Sequence, residues 1–346
     1  MQSTPMVAPL RILVLGGTGY IGPHLVEHAL ARGHTVTLFN RGRTKPGLFP
    51  RAEQLLGDRS LPDGHAALRG RKWDVVYDLP ATNPKWVVGS TDVLKGNAKQ
   101  YVYVSSTAAY KDFSRSFPDE SHPEQDPAPI EPSTPPAQYG PNKVRNEHTV
   151  RDAFGAGATI VRPGLIVGPG DLTDRFTYWP WRIEQGGEIL APGKIDDPAQ
   201  WIDVRDLTEW MVRLGENGTG GVFNAVGPST KASIGELLYG CKACFSNDAY
   251  FTWVPQPFLT EQKLRSWGEM PVWSYTGATT VAFSTSVIEK AVSAGLTFRP
   301  LAATVRDAMK WYHSRPAAEQ EKLRAGITLE REKEVLTAWK AKNGNG

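Results

Sequence analysis

A glycine-rich run, GGTGYIG, occupies residues 16–22 of this 346-residue chain. It directly follows an apolar stretch at residues 12–15 and precedes an amphipathic stretch that ends near Arg32. A strand, a glycine turn and a helix in that order bind dinucleotides, because the turn lets a pyrophosphate approach bare backbone N–H groups at the positive end of the helix. The run therefore predicts an NAD or NADP site with contacts from Gly16, Thr18, Gly19, Tyr20, Ile21 and Gly22.

Three of the four glycines of this run have separate physical roles. Gly16 allows the tight turn, Gly19 removes a side chain that would collide with the phosphates, and Gly22 lets the helix pack closely on the first strand. The alternative is a glycine-rich turn without a ligand. The flanking strand and helix favour the nucleotide site over that alternative.

The residues after the second predicted strand indicate which cofactor the chain prefers. An apolar run at residues 34–39 predicts the neighbouring parallel strand, and Asn40, Arg41, Gly42 and Arg43 follow it. An acidic residue here would accept from the ribose 2′-hydroxyl and repel a 2′-phosphate, whereas guanidinium groups supply forked donors for phosphate. NADP(H) is favoured over NAD(H), unless the two arginines are solvated loop charges. Asp58 is expected to accept a hydrogen bond from the exocyclic amine of the adenine. The alternative is that Asp58 is a surface residue that follows a strand.

A serine, a tyrosine and a lysine form a candidate catalytic set. Ser106 follows an apolar run at residues 101–104, while Tyr139 and Lys143 stand four apart where Pro141 suits the first turn of a helix. The ammonium is expected to lower the pKa of Tyr139 and make it a proton donor and acceptor near neutral pH. Ser106 is expected to hydrogen-bond the substrate oxygen. A Tyr and a Lys at this spacing also occur by chance, so the order of the motifs along the chain supports the interpretation.

Together these motifs resemble the short-chain dehydrogenase/reductase superfamily, in its extended and atypical branch that includes the NAD-dependent epimerase/dehydratase family. The resemblance covers nearly the whole chain, through GGTGYIG, VSSTAAY at residues 104–110, YGPNK at 139–143 and WIDVRDL at 201–207. It implies that Ser106 is catalytic, that Tyr139 is the acid/base, and that Lys143 holds the nicotinamide ribose and tunes the tyrosine. It also implies a homodimer.

Two departures from the family pattern limit the choice of substrate and subgroup. Sugar-nucleotide epimerases carry an Asn shortly after the Arg of the sixth strand, where this chain has Leu165 after Arg162. Residues 77–80, Tyr-Asp-Leu-Pro, replace a small, alanine-rich pattern after the fourth strand. The first departure counts against a nucleotide-sugar substrate, and both indicate the atypical, isoflavone reductase-like subgroup.

The alternation of strand-like and helical patterns predicts an α/β fold, a Rossmann doubly wound parallel sheet with a smaller C-terminal substrate-binding lobe. We expect the NAD(P)-binding Rossmann domain at residues 10–168. Residues 169–346 are mainly the substrate-binding lobe, with segments at about 200–228 returning to the Rossmann core. The Pro-rich stretch 117–137 predicts a long loop bordering the site.

An aromatic segment after this domain is a candidate substrate wall. Trp179 and Trp181 follow Arg175 closely, and Thr107 adjoins the candidate catalytic serine. These four residues are expected to bind a ring that bears hydroxyl groups, whether sugar-like or phenolic. Simple core packing of the two tryptophans is the alternative.

Composition limits the partners of the chain. A net charge of +3 is too small and dispersed to predict a specific nucleic-acid or membrane partner, and no apolar run reaches the ~20 residues of a membrane helix. No signal peptide precedes Leu10, so the sequence as given predicts a cytoplasmic protein, with an upstream export signal left open. The Cys241 and Cys244 pair lacks further zinc ligands, so no metal site is expected.

The first functional hypothesis is an NAD(P)(H)-dependent oxidoreductase that interconverts a carbonyl and a secondary alcohol on a small hydroxylated ring molecule. The second is a sugar or nucleotide-sugar epimerase/dehydratase with tightly bound NAD, which normally needs an additional acid/base. The third is an RNA-binding family member with a decayed site. Intact Ser106, Tyr139 and Lys143 argue against decay.

Overall fold

A computed structural model describes residues 8–79, 81–130 and 138–344 of the chain. The strands are β1 (Arg11–Leu15), β2 (Thr35–Asn40), β3 (Glu53–Leu56), β4 (Trp73–Asp78), β5 (Ala98–Val104), β6 (Ala158–Pro163), β7 (Ile166–Val167), β8 (Glu188–Pro192), β9 (Pro198–Asp203), β10 (Gly221–Ala225), β11 (Gly227–Ser233) and β12 (Tyr250–Val254). The helices are α1 (Ile21–Ala31), α2 (Pro84–Leu94), α3 (Tyr139–Phe154), α4 (Tyr178–Glu184), α5 (Val204–Glu216), α6 (Ile234–Lys242), α7 (Gln256–Glu261), α8 (Glu289–Ser293), α9 (Leu301–His313), α10 (Ala317–Gln320) and α11 (Leu329–Gly344).

Seven parallel strands form the central sheet in the order β3-β2-β1-β4-β5-β6-β10. The inner strands are apolar and buried, as expected for a parallel sheet covered by helices on both faces. α1 and α5 pack together on one face, while α2 and α3 pack on the other. This is the doubly wound Rossmann fold that the sequence predicts.

The chain reverses its direction of winding between β1 and β4, which places a crevice at the carboxyl ends of these strands. The loops after β1, β2, β4 and β5 all emerge at this edge. The glycine run, the Asn40 turn and Ser106 are therefore brought to one side of the sheet, although they are far apart in sequence.

The second half of the chain contributes to both parts of the molecule. α5 and β10 pack with the Rossmann sheet, and Trp210 and Phe223 are buried in its core. A separate core forms around α4, α6 and the two-stranded β8–β12 sheet, with a small β7–β9–β11 sheet beside it. The described part of the predicted long loop, residues 117–130, contains no helix or extended strand, and its remaining residues, 131–137, lie outside the described residues.

Candidate active site

The glycine run forms the predicted turn between β1 and α1. Gly16 has a φ of 108°, a backbone conformation that favours glycine, and its N–H donates to the Phe39 carbonyl oxygen of β2 at 2.9 Å. A Cβ on Gly22 would lie 2.4 Å from the carbonyl carbon of Gly17, so α1 packs directly on the turn. A Cβ on Gly19 would meet no atom within 4 Å, which leaves room for a phosphate.

The N-terminus of α1 is free to receive an anion. The helix begins at Ile21, the side chain of the preceding Tyr20 makes no capping hydrogen bond, and the first turn contains no acidic residue. Tyr20 contributes its backbone here, while its buried hydroxyl has no hydrogen-bond partner among the described residues. Uncapped N–H groups and the helix dipole together suit a pyrophosphate. The residues present therefore fit a dinucleotide.

A cleft of about 230 Å³ connects this turn with the residues predicted to read the ribose and the adenine. Its lining includes Gly16 and Thr18 together with Asn40, Arg41, Arg43 and Asp58. The Asn40 Oδ1 accepts from the Gly42 N–H at 2.7 Å, which fixes the turn that presents both arginines. The Ser60 hydroxyl and N–H bind the Asp58 carboxylate and lower its pKa, and Arg41 and Arg43 add to this effect.

Two residues of the cleft were not identified from the sequence. Arg59 and Trp86 line the same cavity, and the Arg59 guanidinium lies 5.8 Å from the centre of the Trp86 ring. Arg59 Nη1 also donates to the fully buried Asp78 at 2.8 Å. Arg59 directly follows Asp58 in the chain, but the sequence pattern does not distinguish an arginine that lines a cleft from one on the surface.

Ser106 and Tyr139 lie together at the edge of the sheet. Tyr139 begins α3, as predicted, and Ser106 directly follows β5. The Ser106 hydroxyl accepts from the Ala108 N–H at 3.1 Å and lies close enough to the Tyr139 phenol to oppose part of the rise in its pKa. Although 42% of the Tyr139 surface is exposed, so that a substrate can reach it, the surrounding protein removes enough water from the phenol to raise its pKa.

Lys143 lies beneath this pair and is almost completely buried. Its Nζ donates to the carbonyl oxygens of Val104 at 2.8 Å and Ala81 at 3.1 Å, and lies 5.7 Å from the centre of the Tyr139 ring. Burial lowers the pKa of Lys143 to about 8, and the negative charges of Asp78 and Glu147 oppose that change.

The expected lowering of the Tyr139 pKa is wrong. Burial of the phenol raises the pKa above its ordinary value, and this effect exceeds the opposing influence of Ser106 and of the positive charge on Arg175. The Lys143 ammonium donates to two backbone carbonyl groups and, among the described residues, makes no hydrogen bond to the phenol that would offset this effect. Tyr139 is therefore a protonated acid at neutral pH.

The four predicted substrate contacts separate into two groups. Thr107 is buried beside Ser106, and its hydroxyl has no hydrogen-bond partner in the part of the chain that the structure describes. Arg175 acts electrostatically on Tyr139, so both residues lie near the candidate catalytic pair. Trp179 is fully buried in the lobe core, where its indole N–H donates to the Pro271 carbonyl oxygen at 2.7 Å. Trp181 packs on the same core, with its ring centre 6.4 Å from that of Tyr178. The substrate-wall interpretation does not fit Trp179.

The two cysteines are free thiols. Cys241 is fully buried in α6, and burial raises its pKa, while the Cys244 thiol donates to the Gly240 carbonyl oxygen at 3.6 Å. Among the described residues, no helix is both long enough and apolar enough to cross a membrane.

Comparison with known proteins identifies similarities in sequence and in fold. The sequence model of the NAD dependent epimerase/dehydratase family matches residues 12–225. The chloroplast stem-loop binding protein of 41 kDa b from Arabidopsis thaliana is 29% identical over 233 residues, which cover 63% of this chain and 58% of that protein. The match thus spans less than two thirds of that relative.

A second relative and a solved structure represent the reductases and epimerases among the similar proteins. The 2′-dehydrokanamycin reductase of Streptomyces kanamyceticus is 32% identical over 170 residues, or 45% of this chain and 43% of that protein. The structure of UDP-glucose 4-epimerase from Thermotoga maritima superimposes with a TM-score of 0.63 at 18% identity, covering 88% of this chain and 98% of that one. The second similarity concerns the fold alone.

Proposed function

This chain belongs to the NAD dependent epimerase/dehydratase family, and from that premise we propose that it is an NADP(H)-dependent reductase. It interconverts a carbonyl and a secondary alcohol on a small hydroxylated ring molecule. The observation that carries the proposal is the Ser106–Tyr139 pair above buried Lys143, at the same sheet edge as a cleft that presents Arg41 and Arg43.

The chain's own residues perform the proton chemistry in this proposal. A bound nicotinamide nucleotide supplies hydride exchange with the reacting carbon. Tyr139 is protonated at neutral pH, as an ordinary tyrosine is, and burial raises its pKa further; it donates a proton to the carbonyl oxygen as the alcohol forms. Ser106 hydrogen-bonds the same oxygen and polarises it. Lys143 orients the ribose, and Thr107 and Arg175 contact the substrate.

The preference for NADP(H) rests on the turn after β2. Asn40 carries no charge to repel a 2′-phosphate, and its side-chain oxygen is engaged by the Gly42 N–H. Arg41 and Arg43 are exposed, and within the described ranges neither has a carboxylate at ion-pair distance. Two guanidinium groups at the mouth of the cleft supply forked donors and favour a ligand with an additional phosphate.

The alternative remains an epimerase or dehydratase that retains NAD through its cycle. Leu165 is buried in the lobe core, at the position where sugar-nucleotide epimerases have an Asn. An apolar side chain there provides no hydrogen bond for a nucleotide-sugar, so we favour the reductase. The small net charge likewise leads us to propose a small-molecule substrate and no specific nucleic-acid partner.

The test of cofactor choice begins with the purified protein. Any nucleotide released on denaturation is identified, and the emptied protein is titrated with NADPH and NADH while tryptophan fluorescence is followed, since Trp86 lines the cleft. We expect an empty site that binds NADPH more tightly. Stoichiometric NAD that does not exchange would instead support the epimerase/dehydratase alternative.

Replacing the two arginines should change the choice of cofactor. Arg41→Ser and Arg43→Ser are each expected to weaken NADPH binding by about tenfold or more, because a charge-assisted hydrogen bond contributes about 1.5–3 kcal/mol. NADH binding should stay the same. Arg306→Ser, an exposed change on α9, is the matched control and should alter neither affinity. Equal loss for NADPH and NADH would contradict recognition of the 2′-phosphate.

Cofactor binding should also depend on pH through Lys143. Its pKa of about 8 means that the ammonium loses its charge as pH rises through that value. Since the charged form is the better donor to ribose hydroxyl groups, NADPH affinity should fall between pH 7 and pH 9.5. Fluorescence titrations of Lys143→Met should show weak binding at both pH values. An equal pH dependence in that variant would assign the titration to another group.

A further inference from the structure

The face of α3 that carries Tyr139 and Lys143 also carries Glu147, one turn further along. Positions 139, 143 and 147 are four apart, so their side chains lie on one side of the helix. Each of the three meets a different residue at the end of β5. The Tyr139 phenol is beside the Ser106 hydroxyl, Lys143 Nζ donates to the Val104 carbonyl oxygen at 2.8 Å, and the Ser105 hydroxyl donates to Glu147 Oε1 at 2.5 Å.

Glu147 is held from a second direction by β6. Arg162 Nε donates to Glu147 Oε1 at 2.9 Å, and Arg162 Nη2 donates to Oε2 at 2.5 Å. The side chains of both residues are 0% exposed. A buried carboxylate in a bidentate pair has few alternative orientations, because moving it would leave a charge without a partner. The oxygen that accepts from Ser105 is therefore fixed in place.

The same arginine extends the network to the loop that follows β5. Arg162 Nη2 also donates to Glu124 Oε1 at 2.5 Å. The next residue, Gln125, donates from Nε2 to the Ala108 carbonyl oxygen at 2.7 Å, within the short turn that begins at Ser106. The turn that presents Ser106 is thus tied to Arg162 through the loop as well as through Ser105 and Glu147.

We propose that Ser105 and Glu147 are positioning residues: the carboxylate, anchored by Arg162, holds the end of β5 against α3 and so sets the distance between Ser106 and Tyr139. Both residues are buried, and their side chains bond to each other and to Arg162. Their influence on turnover passes through the adjacent Ser106 and through the helix that carries Tyr139. The proposal rests on the proposed function, since it concerns the same catalytic pair.

Ser105 offers a mild test, because its replacement leaves the Glu147–Arg162 pair intact. Ser105→Ala is expected to lower kcat by about 10- to 100-fold, since small errors in the placement of reacting groups have effects of this size. KM for NADPH should be unchanged. Ser105→Thr keeps the hydroxyl and should recover most of the activity. Ser286→Ala, which removes a buried lobe hydroxyl bonded to the Ala282 carbonyl oxygen at 3.0 Å, is the control and should retain wild-type kcat.

A second measurement needs no turnover. The phenol carbon of Tyr139 is labelled with ¹³C and titrated by NMR in the wild type, Ser105→Ala and Ser286→Ala. We expect a changed chemical shift or apparent pKa in Ser105→Ala alone, because the surroundings of the phenol include Ser106. Glu147→Gln should change the Tyr139 signal more than Ser105→Ala does. If Glu147→Gln fails to fold, the Ser105 variants alone test the positioning role.

The outcomes separate the two proposals. A Ser105→Ala protein with kcat within twofold of wild type, or a Ser286→Ala protein with an equal loss, would overturn the positioning role. If the wild type reduces no carbonyl compound, the proposed function fails. The NMR titration alone then tests the positioning role of Ser105 and Glu147. An unaltered Tyr139 signal in Ser105→Ala would then overturn the positioning role as well.

Discussion

Tyr139→Phe is expected to reduce turnover by about 10²- to 10⁴-fold, which is the usual contribution of a positioned acid/base group. The change removes only the phenol oxygen, which is the proton donor in the proposed reaction. Lys143 keeps its two backbone acceptors, so NADPH affinity should stay close to that of the wild type. Steady-state kinetics with a carbonyl substrate and a fluorescence titration with NADPH would measure the two effects separately.

A matched control for this change is Tyr250→Phe. Tyr250 is 54% exposed at the start of β12, in the lobe, and loss of its hydroxyl should leave both kcat and cofactor affinity unaltered. Turnover that survives in Tyr139→Phe would remove Tyr139 from the mechanism. If the substitution abolished NADPH binding as well as turnover, the result would indicate instead that it disturbs the start of the helix.

The architecture of the nucleotide half is readable from the sequence because local rules determine it. A buried strand, a glycine turn and a helix occur in consecutive residues, and the turn requires the positive φ values that Gly16 and Gly17 adopt. Tyr139 and Lys143 share a helix face through their spacing alone. Features that depend on a few neighbouring residues were therefore predicted at the correct positions.

Burial was the main quantity that the sequence did not provide. The expected direction of the Tyr139 pKa considered the charge of Lys143 but not the loss of water around the phenol, and burial is the larger effect. Trp179 likewise follows a plausible pocket motif, yet the lobe folds so that its ring fills the core. Both errors arise because solvent exposure depends on residues distant in the chain.

Long-range pairs escaped prediction for a related reason. Glu147 and Arg162 stand on different elements, and nothing in the sequence indicates that the two side chains pair. Arg59 meets Asp78 only because β4 places that carboxylate beneath the cleft. Only the folded sheet brings such partners together, so composition and spacing give no signal for them.

Alanine substitutions at two glycines of the same turn, Gly22 and Gly19, should separate NADPH binding from the stability of the fold most clearly. Gly22→Ala places a Cβ within 2.6 Å of three backbone atoms of Gly17, so the helix must shift away from the turn. Overpacking of this kind costs about 1–3 kcal/mol. We expect a lower melting temperature and loss of NADPH binding in this variant.

Gly19→Ala should behave in the opposite way in the absence of cofactor. Its added Cβ meets no protein atom within 4 Å, and Gly19 is not among the residues with positive φ. The unliganded protein should therefore be as stable as wild type, or more stable by about 0.4–1 kcal/mol, because alanine restricts the unfolded chain. NADPH should no longer raise the melting temperature, since the methyl group occupies the space that we assign to the phosphates.

Gly268→Ala, whose Cβ would have only ordinary contacts at 3.7 Å in the lobe, controls for the loss of a glycine. Wild-type NADPH affinity in Gly19→Ala would show that the phosphates do not lie against Gly19, and the assigned position of the cofactor would then be wrong.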